Sequence, residues 1–168
     1  MSLSIHEVSV PVFVRMLGRL ANILDKASAH AEAGKADPAA LLASRLAPDM
    51  YPLAEQVRIA ADAAVEAGAR LAQVDPPLFA NEERSFADLV ARIRRSVVFL
   101  EALEPSRFEG AERRSVSWKA RGATISVMGA PYVLNHALPK FYFHLTTAYA
   151  ILRHEGVALK KGDFMGKA

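Results

Sequence analysis

Apolar residues return every three or four positions through most of this chain, the spacing of helices packed side by side. Val10, Phe13, Leu17, Leu20, Leu24, Ala27 and Ala31 step by 3, 4, 3, 4, 3, 4 and predict a first helix over about residues 5–32. Ser4 and Glu7 have capping-box spacing at its start. Pro11 either kinks this helix or marks a later start capped by Ser9. Asp37-Pro38 predicts a short helix over about 38–44. Pro48-Asp49 is expected to open the second long helix, with Leu53, Val57, Ala60, Ala64, Gly68 and Leu71 as its inner stripe and Asp75-Pro76-Pro77 as its stop. The small residues in that stripe invite close approach by a neighbour. Ser85 and Asp88 cap a third helix running to about Leu103, with Phe86, Leu89, Ile93, Val97 and Leu100 inward. Arg92, Arg94 and Arg95 are expected on its solvated face.

Residues 113–128 break the helical period. Val116, Trp118 and Ala120 alternate with polar residues, and Thr124 to Val127 is rich in β-branched types. This predicts a short hairpin turning at Arg121-Gly122 and docked through Trp118. A fourth long helix follows over about 131–155, kinked at Pro139 and stopped by Gly156. The tail from Val157 is expected to lie along the surface.

Composition narrows this picture. The 168 residues fit one domain, 1–168, with 52% hydrophobic and 23% charged residues, which excludes a disordered chain. There is no cysteine, so disulfides, thiol nucleophiles and cysteine-ligated metals are excluded. A net charge of +3, from 21 basic and 18 acidic residues interleaved along the chain, argues against nucleic-acid binding. No apolar run approaches the roughly 20 residues of a membrane span, and the first residues do not read as a signal peptide, so a cytoplasmic protein is expected.

Local catalytic motifs are missing: there is no His-Glu-x-x-His, Walker loop or nucleophile elbow. The informative stretch is Asn135 to His144. His136, Lys140 and His144 stand at i, i+4 and i+8, so an unbroken helix would set them in one drifting stripe. Each histidine is open to two readings: a hydrogen-bonded core residue, or a ligand or proton shuttle. Lys140 repels a divalent cation and suits an anion. Gln56 falls near the inner stripe of the second long helix, where an amide needs a partner or lines a pocket. The four tyrosines are read as packing residues with one wet edge.

Two segments carry a resemblance: Leu46-Ala-Pro-Asp-Met-Tyr-Pro-Leu-Ala-Glu-Gln56, and Pro139 through Gly156 with the closing Lys161-Gly-Asp-Phe-Met-Gly166. They resemble a bacterial family known only as a domain of unknown function, within the wider DinB/YfiT-like group of metalloenzymes, and the likeness extends over nearly the whole chain. The resemblance implies an all-α, up-down-down-up four-helix bundle, often dimeric. It also implies three histidines on a divalent metal, one from the second helix and two at i and i+4 on the fourth. Matched through Leu152-Arg153 and Gly156, His144 takes the place of one ligand, Lys140 replaces another, and Gln56 falls near the third. One ligand of three is too few for a tight catalytic site.

The expectation is therefore a binding protein or degenerate enzyme without tightly bound metal or cofactor. Its pocket is lined by Gln56, His136, Lys140 and His144 and takes a small anion. One alternative is a thiol transferase or isomerase with zinc or nickel on a rearranged site, His136 and His144 plus Gln56 or a carboxylate. Another is a homodimeric interaction module pairing through Tyr142, Phe143 and Tyr149.

Overall fold

The computed structural model describes residues 3–120 and 122–166. Four long helices dominate: α1 (Val10–Glu32), α3 (Leu53–Ala72), α4 (Phe86–Glu101) and α6 (Leu138–His154). Short helices α2 (Pro38–Ala43), α5 (Gly129–Tyr132) and α7 (Lys161–Met165) and a two-stranded antiparallel sheet complete the chain. Helix α1 packs mainly on α4, and α3 packs on both α4 and α6. Among the described residues, no helix is long and apolar enough to cross a membrane.

Prolines decide where the helices begin. The Ser4–Glu7 pairing forms as expected, with Ser4 N donating to Glu7 Oε2 at 2.8 Å and Glu7 N to Ser4 Oγ at 3.2 Å. That turn does not continue into α1, which starts at Val10 rather than near residue 5. Pro11 has no N–H to offer and its ring opposes a helical turn before it. Ser9 precedes the helix, but its hydroxyl donates to the Ile5 carbonyl at 2.6 Å instead of capping. Helix α3 likewise starts at Leu53, later than Pro48-Asp49 suggests. Residues before a proline avoid the helical region, and Pro48 and Pro52 keep the segment between them out of it. The α4 start follows expectation, with Asp88 N donating to Ser85 Oγ at 3.1 Å.

Helix α3 is the centre of the packing. Ala60, Ala61, Ala64, Ala67 and Gly68 are fully buried or nearly so. A Cβ on Gly68 would meet Leu100 Cδ2 at 2.7 Å and Leu103 Cδ1 at 2.9 Å, so glycine sets the closeness of α4 there.

Arg92 departs from the expected solvated face. It is 1% exposed. Its Nη1 donates to Glu83 Oε1 at 2.8 Å and to the Ala80 carbonyl at 3.1 Å, and Nη2 donates to Asp62 Oδ1 at 2.7 Å. Glu83 also accepts from Arg58 Nε at 2.9 Å. The Phe79 ring lies 5.4 Å from the Arg92 guanidinium and 5.1 Å from that of Arg95. The loop between α3 and α4 supplies Phe79, Ala80 and Glu83, and helical spacing cannot foresee a loop folding back. Burial pushes the Glu83 carboxyl up, but the bonds from Arg92 and Arg58 outweigh it and hold it below its ordinary range. For Asp62 burial outweighs Arg92, and its carboxyl is pushed up.

The hairpin forms as β1 (Ser115–Ala120) and β2 (Ala123–Met128), with Trp118 opposite Ile125 and Ala120 opposite Ala123. Gly122 supplies a φ of 79°, while Arg121, the other expected turn residue, lies outside the described residues. Gly129 then tucks under the Ala111 carbonyl, where any Cβ would overlap the oxygen. Just before Pro139, where a kink is expected, the winding of the helix changes. Residues Val133–Ala137 form a π-helical turn immediately before α6, with Pro139 in the first turn of α6. A π turn absorbs the missing proline N–H and relieves the ring from the carbonyl one turn back. The tail does lie along α1: Lys26 Nζ meets Asp163 Oδ1 at 2.6 Å, and Arg15 Nη2 donates to the Met165 carbonyl at 2.9 Å.

Arg92→Ala strands the buried Glu83 and Asp62 interactions and is expected to cost about 3 kcal/mol in urea unfolding, the range for breaking a buried pair. A loss under about 1 kcal/mol would mean that the α3–α4 loop is not anchored through this guanidinium.

Candidate functional site

The α3–α6 contact carries the polar residues singled out above. Gln56, in the first turn of α3, is 1% exposed. Its Nε2 donates to the Tyr51 carbonyl at 3.0 Å, and its Oε1 lies 2.7 Å from His144 Nδ1. The amide is thus a bridge between the segment entering α3 and the imidazole on α6. His144 is half-buried, and the Phe143 ring stands edge-on to it at 5.2 Å. Phe143 is also one wall of an open, mainly apolar trough of about 460 Å³ lined by Leu46, Tyr142, Thr146, Thr147 and Ala150. Burial, and then the charge of Lys140, pull the His144 imidazole below its ordinary value, against a weaker opposite pull from Glu55.

Lys140 lies one turn before His144 on α6. Its nearest acid is Glu66, with Nζ 3.9 Å from Oε2. Glu66 accepts a closer bond from Arg70 Nη1 at 3.0 Å, and the same Arg70 nitrogen donates to Tyr132 Oη at 3.1 Å. Burial pushes the Tyr132 phenol up, more than the Arg70 bond pulls it down.

His136 belongs to this second group. It packs against Trp118, with ring centroids 4.4 Å apart and planes 33° apart, and against Tyr132 at 5.6 Å and 26°. Burial, then Lys140 and Arg70, lower its basicity, with Glu66 opposing. The hairpin therefore docks through Trp118 as expected, and it docks onto a histidine and a tyrosine.

The structure thus brings Gln56 and His144 together, sets Lys140 between them and the Glu66–Arg70 pair, and places His136 at the hairpin end. Eight residues separate His136 from His144, roughly 12 Å along a helix axis. Two donors on one zinc ion sit within about 4 Å of each other, so these two imidazoles do not converge. Among the described residues, no three His, Asp or Glu side chains gather closely enough to hold a metal ion. The donor set does not fit the three-histidine centre that the resemblance implies: one imidazole is engaged by an amide, and its helical neighbour is an ammonium.

Sequence spacing did not flag Glu66, Arg70, Tyr132 and Trp118 as one cluster. The i, i+4 relation of Glu66 and Arg70 was a legible signal, but their junction with the hairpin through Tyr132 and Trp118 is a long-range contact.

The domain of unknown function DUF1993 matches residues 5–165. The chain belongs to the DUF1993 family. This DUF1993 chain is also similar to the crystal structure of a DinB family member protein from Shewanella denitrificans. The two are 38% identical with a TM-score of 0.91, over 97% of this chain and 92% of the other. Both findings support the description of this chain as a DinB-like protein. No curated protein matches this chain.

The two lowered imidazoles make stability depend on pH. Between their folded values and the ordinary 6.5, the unfolded chain holds more protons at these sites than the folded chain does. Stability then rises with pH through that window and is lost as pH falls through it, with no further loss from these groups below their folded values. The urea midpoint is expected to drop from pH 7.5 to 5.5, and to drop less in the His136→Gln/His144→Gln double variant. An equal drop in both proteins would show that the two histidines do not carry the effect.

Proposed function

We propose that this protein is a small-ligand-binding DinB-like domain whose ancestral metal centre has been replaced by a metal-free polar corner. The long helices are read as the up-down-down-up bundle of that group, spanning 1–168 as one domain. The observation that carries this reading is the Gln56–His144 bond. It occupies the place of a two-histidine edge with an amide–imidazole pair, and Lys140 one turn away adds a positive charge that opposes a cation and favours an anion. His144 does not itself line the trough walled by Phe143, but it is the next residue along α6, and a small molecule spanning the two would have a polar end and an apolar bed. Gln56, Lys140 and His144 are the proposed contacts. His136 supports the hairpin end of the same helix.

A metal-dependent thiol transferase with a rearranged site is the competing enzyme reading, and it is opposed by the separation of His136 from His144. The homodimeric reading has one observation in its favour. Phe143, Leu46 and Met165 leave about half of their surface exposed along α6 and its neighbours, at 57%, 45% and 49%. Light scattering at several concentrations tests it, and a strict monomer excludes it.

Elemental analysis tests the main reading. Protein purified without a metal-affinity tag is expected to hold well under one equivalent of zinc or nickel. The Gln56→His/Lys140→His double variant is expected to gain one equivalent of zinc that survives gel filtration. One tightly held equivalent in the unaltered protein overturns the proposal.

A further inference from the structure

The Gln56 amide has only one orientation that satisfies both of its neighbours. Its Nε2 donates to the Tyr51 carbonyl at 3.0 Å. A flipped amide would set its oxygen against that carbonyl and leave two oxygens facing each other in a buried place. Tyr51 precedes Pro52, whose extended backbone and carbonyl start the helix, with Gln56 N donating to Pro52 O at 3.0 Å. The Tyr51 carbonyl is therefore fixed by the chain entering α3. With the amide so oriented, an oxygen faces His144 Nδ1 at 2.7 Å. An amide oxygen only accepts, so the proton of that bond sits on the imidazole.

We propose that Gln56 locks His144 as its Nδ1–H tautomer, so that Nε2 is a standing acceptor and the ligand of this corner must present a hydrogen-bond donor to it. Histidine in water favours the other tautomer, with the proton on Nε2, and here the partner of one ring nitrogen sets the state of the other. Burial and the Lys140 charge add to the effect by favouring the neutral ring. A plain carboxylate meets Lys140 but offers nothing to an Nε2 lone pair. An anion that also carries a hydroxyl or amide N–H satisfies both groups. This ligand requirement rests on the reading of the corner as an anion-binding site, whereas the tautomer does not. Gln56 is in this sense a positioning residue: it acts on the ligand through His144.

Nitrogen-15 NMR of the histidine rings in the full chain tests both statements. Above pH 7 the unaltered protein is expected to show His144 with a protonated Nδ1 and a bare Nε2, and Gln56→Leu is expected to move the major population to Nε2–H. A protonated Nε2 in the unaltered protein overturns the proposal, whatever the variant does, and so does a Gln56→Leu variant that keeps its fold and its Nδ1–H ring. Lactate and propionate, which differ by one hydroxyl, are then compared as probes. A shift of His144 Nε2 several-fold larger with lactate supports the donor requirement, and equal shifts refute it. If neither acid moves His144, the anion-site reading fails while the tautomer result stands.

Discussion

Helix α3 is buried on most of its circumference by small residues, mainly alanine and glycine, and the polar side chains bordering that face pair with groups on their own helix or on neighbouring elements. A neighbour that approaches to the distance allowed by Gly68 leaves little room for solvent. Asp62 is met by Arg92, Glu66 by Arg70 and more loosely by Lys140, and Gln56 by His144. An unpaired polar group as buried as Gln56 costs about 1–3 kcal/mol. The three pairings hold the α3–α4 loop, the hairpin end of α6 and the candidate site. The electrostatics of the protein follow from the narrowness of one helix.

Proline 139 acts on the same helix pair from the other side. A continuous helix would have carried His136, Lys140 and His144 in one drifting stripe. The π turn at Val133–Ala137 shifts the register before α6 begins, and His136 stacks on Trp118 and Tyr132. Two histidines eight positions apart serve different ends of the contact. One braces the hairpin and the other meets an amide beside an open trough. Insertions of this kind often accompany functional sites, because a single extra residue re-aims a side chain without unfolding the helix.

The proposed replacement of a metal site is likewise a matter of charge and geometry. An ammonium one turn from the remaining imidazole raises the electrostatic cost of a divalent cation, and the amide that holds His144 takes one of its two nitrogens. Nε2 is the ring atom left to meet a ligand. The proposed function and the tautomer that Gln56 imposes both follow from this arrangement, within a fold that the chain shares with a DinB family member at 38% identity.

The helices, the hairpin and most core positions could be read from spacing alone, because burying an apolar stripe is a local demand repeated every turn. Gln56 and His144 stood out for the same reason: each broke an apolar pattern and so needed a partner. Helix starts were read too early at residues 5 and 48, since a capping pair or a proline signals a turn but not that the turn propagates. Arg92 was misplaced because its partners, Asp62 thirty residues earlier on α3 and Ala80 and Glu83 in the loop between, follow no helical period, and only the folded chain brings them together. Which amide atom faces His144, and therefore which imidazole nitrogen keeps its lone pair, was decided by the Tyr51 carbonyl, an acceptor that belongs to the backbone and is invisible in any pattern of side chains.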